Sequence, residues 1–168
     1  MELKRVVVTG LGAVTPLGLN VDETWEALLN GVSGAGPITH FDASQFKTQF
    51  ACEVKNFDPT LYLDKKEVRK FDRYAQFAVA AAKEAVGDSA LDLEKVDKNR
   101  VGVIFAAGIG GIRTFEEEVG GYFTNIERGP KFNPFFIPKM IADIAAGHIS
   151  MIYGFHGPNY ATVSACAS

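Results

Sequence analysis

The apolar positions of this chain follow two patterns: short unbroken runs, and longer segments in which apolar residues recur every three or four positions. Val6, Val7 and Val8 form a β-branched run closed by Thr9 and Gly10, which predicts a buried strand. "RVGVIFAA" over residues 100–107 predicts a second buried strand, and "HGPNYATVSAC" a turn followed by a third that leads into Cys166. Between these runs the period changes. "DETWEALLNG" predicts a helix capped by Asp22, with Trp25, Leu28 and Leu29 on its apolar face and Gly31 at its end. Residues 64–86 give the clearest helical pattern. Val68, Phe71, Ala75, Ala78, Val79 and Ala82 form one stripe, the many alanines imply close packing, and Asp64 with Glu67 has capping-box spacing. "GIGGIRTFEEE" predicts a glycine-rich turn and a helix, residues 120–134 a loop, and residues 138–153 a helix stopped by Gly154. Residues 32–60 predict a long packed loop with one short strand near residues 50–54. Strand, helix, strand, helix, strand, with glycine at strand exits, predicts an α/β fold.

Composition narrows this little. With 168 residues, 47% hydrophobic and 22% charged, the chain can build one domain with a core. A net charge of −3 gives no general attraction to nucleic acid or anionic lipid, so any site for a charged partner must be local. The first apolar run is too short for a signal peptide, and no run approaches about 18 apolar residues, so neither a leader nor a membrane span is expected. Two distant cysteines, Cys52 and Cys166, do not make a disulfide framework. No Cys/His set has zinc spacing, and no metal or cofactor is expected.

The candidate chemistry is concentrated at Cys166. Were the chain to continue from its third strand into a helix, Cys166 would sit at the strand-to-helix turn, where unpaired N–H groups and positive potential favour a thiolate and can hold an oxyanion. The competing reading is a buried structural cysteine, which is also the reading for Cys52. "TGLGAVTPLG" is not a dinucleotide loop, because Thr15 replaces a third glycine and Pro16 and Gly18 come before any helix. His148 and His156 read as satisfied or solvent-facing. Lys66, Arg69, Lys70 and Arg73 recur at helical spacing and read, by themselves, as a solvated face.

Taken in order, "RVVVTGLGAVTPLG", "RKFDRYAQFAVAAAKEA", "GVIFAAGIGGI", "PFFIPKMIADIAAGHISMIYGFHGPN" and "TVSACAS" resemble the N-terminal part of the β-ketoacyl-[acyl-carrier-protein] synthases. These are the condensing enzymes of fatty acid synthesis, and the resemblance is closest to type II members. It covers essentially the whole chain and implies a thiolase-like layered αβαβα fold. Residues 1–168 would be most of the N-terminal half, a ketoacyl synthase domain truncated after the nucleophile, with the C-terminal half absent. The resemblance makes Cys166 the catalytic nucleophile. It would accept an acyl chain from acyl carrier protein for decarboxylative Claisen condensation with malonyl-carrier protein. Ile109, Phe135 and Phe136 match positions along the acyl channel. Lys66, Arg69, Lys70 and Lys131 match positions that receive the carrier protein. The family's two histidines lie in the other half and none of His40, His148 and His156 matches them, so this segment alone should be inactive. A cytoplasmic homodimer is implied, with no nucleic acid, membrane, metal or cofactor involved. A type I or polyketide ketosynthase is the alternative. So is a non-catalytic chain-length-setting partner, although such partners usually lack the cysteine. A thiol hydrolase would need an ordered His and Asn or Asp set that is not evident.

Overall fold

The structure is a computed structural model that describes residues 3–129 and 131–168. Met1 and Glu2 of the leading segment, and Pro130 in the loop before Lys131, lie outside the described residues. In chain order the elements are α1 (Val21–Leu29), β1 (Gly36–Pro37), β2 (Phe50–Ala51), α2 (Lys65–Val68), α3 (Arg73–Asp88), β3 (Val103–Ile104), α4 (Ile112–Thr124), α5 (Phe136–Met140), α6 (Ile144–Tyr153) and β4 (Asn159–Tyr160). The chain divides into two compact units. One holds the residues up to Asp58 with Lys83–Ala90, the other Pro59–Ala82 with Leu91–Ser168.

In the first unit, α1 is capped by Asn20, whose side chain accepts the Glu23 N–H at 2.8 Å; Asp22, the expected cap, is already inside the helix. Its end is as predicted. Gly31 takes φ +64°, its N–H reaches the Leu28 carbonyl, and the Val32 N–H reaches that of Ala27, the paired bonds of a left-handed helix stop. Trp25, Leu28 and Leu29 are exposed, so the predicted apolar face is not buried within this chain. The strand near residues 50–54 is real but short. β2 pairs antiparallel with β1, Gly36 opposite Ala51 and Pro37 opposite Phe50. Val6, Val7 and Val8 form no strand, and Val6 is 89% exposed. β-Branching suits a residue to a sheet, but a strand exists only where another pairs with it. Among the described residues none pairs with this run. Side chains tie down the segment from Leu11 to Val21 instead. Leu11 N–H donates to Asp88 Oδ2 at 2.9 Å, Ala13 N–H to Glu84 Oε2 at 2.9 Å, and Val21 N–H to Glu84 Oε1 at 2.8 Å. Gly10 is required by close approach, because a Cβ there would lie 2.2 Å from the Ala85 carbonyl oxygen. Cys52 is exposed, contrary to its reading as a buried cysteine.

The second unit carries the main core. Phe71 and the α3 residues Ala75, Ala78 and Val79 pack with Val103, with Ala145, Ala146 and Ile149 of α6, and with Phe155. The alanines allow the close packing that the sequence implied. The single helix predicted over residues 64–86 is broken at residues 69–72. Asp64 makes no side-chain cap, and Asp72 restarts the helix. Its Oδ1 accepts the Tyr74 N–H at 3.1 Å and its carbonyl accepts the Gln76 N–H at 3.0 Å. Gln76 Nε2 bridges the break by donating to the Val68 and Phe71 carbonyls, both at 3.1 Å.

β3 and β4 run parallel, Val103 opposite Asn159 and Ile104 opposite Tyr160. Bonds beyond the assigned strands continue this pairing, from Val103 N–H to Pro158 O, Phe105 N–H to Tyr160 O and Ala107 N–H to Thr162 O. The strand is half-buried rather than buried, since Val103 faces the core while Ile104 is exposed. α4 runs through Gly120 and Gly121 to Thr124, farther than predicted. The helix predicted over residues 138–153 is two helices separated at residues 141–143, where Ile141 turns extended; Gly154 ends the second at φ +67°, as predicted. The described architecture is mixed α/β with two two-stranded sheets.

Candidate active site

The parallel pairing of β3 with β4 delivers Cys166 to a tight turn. After β4, Ala165–Ala167 forms one 3-10 turn, in which the Ala167 N–H donates to Ser164 O at 3.0 Å and the Ser168 N–H to Ala165 O at 3.3 Å. Ser164 N–H in turn donates to Ser168 Oγ at 2.6 Å. Cys166 is thus on a 3-10 turn that follows β4 after residues 161–164, and it is exposed, not buried. Ala165 takes φ +51°, a left-handed conformation that costs a residue with a Cβ about 1 kcal/mol.

A glycine-rich loop packs against this turn. A Cβ on Gly108 would sit 3.4 Å from the Ala165 carbonyl oxygen. On its other side the loop touches residues 139–142. Gly111 N–H donates to Met140 O at 2.9 Å, Gly110 takes φ +90°, and a Cβ at Gly111 would lie 2.2 Å from Lys139 O. Only glycine fits either position. The loop carries Ile109, whose side chain is 67% exposed rather than packed in the core.

Phe135 and Phe136 begin the segment that ends at this loop. Asn133 Oδ1 accepts the Phe135 N–H at 2.9 Å and Asn133 O accepts the Phe136 N–H at 2.8 Å, while Asn133 N–H donates to Glu118 Oε2 at 2.9 Å. Phe136 stacks on Phe132, with centroids 5.5 Å apart, and Phe135 is 41% exposed. Lys70 lies 5.9 Å from the Phe135 ring centroid, so one predicted carrier residue meets one predicted channel residue. Lys70 also pairs with Glu67 at 2.6 Å. Lys66, Arg69 and Lys131 are exposed, the last on a separate loop. The four cations near residue 70 do not share one helical face. Lys66 is on α2, Arg69 and Lys70 come after it, and Arg73 opens α3 with its guanidinium 5.0 Å from the Phe77 centroid. Desolvation and the nearby Arg113 charge lower the Arg73 pKa.

Sequence reasoning missed a buried polar junction behind the glycine loop. Asp72, 6% exposed, accepts from Thr114 twice through Oδ2: from Oγ1 at 2.5 Å and from the backbone N–H at 3.2 Å. The Tyr74 hydroxyl donates to the Ile141 carbonyl. Burial, with the Asp72 charge adding to it, pushes the Tyr74 phenol up to about 12. The signal was present in "KFDRYAQ", since an Asp before an apolar-periodic run is a cap; the longer helical pattern concealed it. His148 also differs from its reading as satisfied or solvent-facing. Its ring stacks on Phe71 at 3.6 Å, and its buried Nε2 has no hydrogen-bond partner. His156 is exposed, as predicted, and His40 lies 3.9 Å from Glu53. Among the described residues no His, Cys, Asp and Glu group could hold a metal ion, and no helix is long and apolar enough to cross a membrane.

A parallel strand pair, an exposed cysteine on a later 3-10 turn and a glycine loop packed against that turn make up the candidate site. The family model described as beta-ketoacyl synthase, N-terminal domain, matches residues 3–168, and the chain belongs to that family. It is 48% identical over all 168 residues to the 3-oxoacyl-[acyl-carrier-protein] synthase 2 of Coxiella burnetii, of which it covers 40%. Among solved structures, it is similar to the ishigamide ketosynthase/chain length factor, with TM-score 0.83 and 25% identity over 94% of this chain and 39% of that one. It is also similar to a type II polyketide ketosynthase solved in complex with its acyl-carrier protein and bound to the hexaketide. There the TM-score is 0.70 at 28% identity, over 92% of this chain and 40% of that one. The chain therefore spans about two fifths of the relatives it matches.

Proposed function

We propose that this chain is the nucleophile-bearing part of a 3-oxoacyl-[acyl-carrier-protein] synthase of type II, with the thiolase-like layered αβαβα fold. Cys166 is its nucleophile. The Cys166 sulfur attacks the thioester carbonyl of an acyl-carrier protein. The carrier's thiol leaves with the proton, and the acyl chain stays on Cys166 as a new thioester. Malonyl-carrier protein then loses carbon dioxide, and the resulting enolate carbon displaces the sulfur and leaves as a chain longer by two carbons. Covalent storage means two bulky carriers need not be bound together. Stabilising the enolate oxygen requires donors that His40, His148 and His156 do not supply, so condensation belongs to the longer protein and its dimer.

The observation that carries this reading is the place of Cys166 on a 3-10 turn, one residue after the left-handed Ala165, with Gly108 of the loop that bears Ile109 packed against that turn. It also weighs against a non-catalytic chain-length-setting partner. Type II fatty acid synthesis is favoured over polyketide synthesis by the identities, 48% against 25–28%. Ile109, Phe135 and Phe136 would line the acyl path, and Lys66, Arg69, Lys70 and Lys131 would receive the carrier. The test is intact-mass and peptide analysis of the full-length protein after incubation with acyl-carrier protein. An added acyl mass on the Cys166 peptide, lost in Cys166→Ala, is expected. An unmodified Cys166 with the acyl group elsewhere overturns the assignment.

A further inference from the structure

We propose that Asp72 is a positioning residue that sets acyl-chain selectivity by fixing the glycine loop from behind; this rests on the acyl-transfer reading above. The start of α4 has a structural problem. Its N-cap is Gly111, which has no side chain to accept the helix's first free N–H groups. Asp72 supplies the missing acceptor from another element, taking the N–H of Thr114, the third residue of α4, and the Thr114 hydroxyl as well. Its other oxygen caps its own helix at Tyr74. One carboxylate thus caps two helices, and its burial at 6% exposure makes those bonds costly to lose.

Each helix start holds one side of the site. α4 begins at the loop bearing Ile109, so the position of Thr114 sets where residues 108–111 lie. Tyr74, fixed by the same carboxylate, donates to the Ile141 carbonyl. Residues 139–142 are the opposite wall of that loop, where Gly110 and Gly111 touch Lys139, Met140 and Ala142. Asp72 therefore holds both the loop and its support, while Cys166 sits on a turn built by the strand pairing. Loosening Asp72 should shift Ile109 relative to a Cys166 that stays in place. The expected result is changed discrimination between acyl chains, with the reactivity of the thiol retained.

The experiment uses the full-length protein and compares Thr114→Val, Thr114→Ser and Asp72→Asn with the parent. Acylation rates of Cys166 are measured with a short and a long saturated acyl-carrier protein, and alkylation by iodoacetamide reports the bare thiol. The expected long-to-short rate ratio shifts roughly fivefold in Thr114→Val and Asp72→Asn. Thr114→Ser, which keeps the hydroxyl, should stay close to the parent, and iodoacetamide should react equally with all four. Hydrogen exchange at residues 108–112 should be faster in Thr114→Val than in Thr114→Ser, independent of any turnover. An unchanged ratio in Thr114→Val, an equal shift in Thr114→Ser, or a parallel fall of acylation and alkylation overturns the proposal and leaves the acyl-transfer reading intact. A parent protein that takes up no acyl group on Cys166 overturns both.

Discussion

The imidazole of His148 lies 3.6 Å from Phe71 in a nearly parallel stack, and its Nε2 is buried without a hydrogen-bond partner. Desolvation lowers its pKa from the usual 6.5; the Glu67 charge opposes this in part, and Lys70 adds to it. In the unfolded chain the ring takes up a proton as pH falls through 6.5, while in the folded protein it resists doing so. Its contribution to stability is therefore present above pH 6.5 and is lost as pH falls toward the depressed folded value. His148→Phe keeps the stacking surface, removes the orphaned nitrogen and should raise stability by about 1 kcal/mol. Urea unfolding at pH values on either side of the transition should show a smaller pH dependence in the variant than in the parent. An equal dependence would mean that His148 is not the titrating group. At this scale the sequence left Cys166 open between a nucleophile and a buried structural cysteine, and the thiol is exposed. It was misleading about Cys52, because cysteine's general preference for burial says nothing of a short strand at the edge of a loop.

Elements were legible where one local signal acted alone and obscured where two competed. Gly31 and Gly154 stop their helices as expected, because a left-handed residue after a helix needs nothing from the rest of the fold. The stripe from Phe71 to Val79 was also legible, since periodicity reports the buried face even across a break. The break itself was not. Asp72 caps α3 locally at Tyr74, a signal that the longer helical period masked, while its second partner, Thr114, lies 42 residues away, where spacing along a sequence cannot show it. The Val6 run failed for the complementary reason, as a propensity without a pairing partner. Within the glycine loop the same logic gives a contrast. A Cβ at Gly111 would lie 2.2 Å from the Lys139 carbonyl, whereas one at Gly120, inside α4, would meet nothing within 4 Å. Gly111→Ala should destabilise by about 2 kcal/mol or more, because backbone must move. Gly120→Ala should be neutral or stabilise by up to about 1 kcal/mol. Thermal unfolding of the two variants checks this, and equal effects would contradict the packing of residues 108–111 on residues 139–142.

For the whole molecule, charge decides how a carrier protein would be met. The chain's net charge is −3, so its summed field does not attract an acidic partner, and any attraction must come from a local cluster. Lys66 and Arg69 are exposed, and Lys70 is partly neutralised by Glu67 at 2.6 Å while it leans over Phe135. A lysine in that position can hold an encounter in register more than it can add affinity, because exposed ion pairs contribute at most about 1 kcal/mol. Arg69→Glu with Lys70→Glu, placed in the full-length protein, should raise KM for acyl-carrier protein by roughly tenfold at low salt. The effect should shrink toward parity as ionic strength rises and the Debye length falls below about 8 Å. The same acyl chain on coenzyme A lacks the carrier's surface and should show little change in KM, with kcat preserved for both substrates. A loss confined to the coenzyme A reaction, or a carrier KM indifferent to both charge reversal and salt, would place the docking surface elsewhere. Lys131, on its own loop, would then be the next residue to reverse.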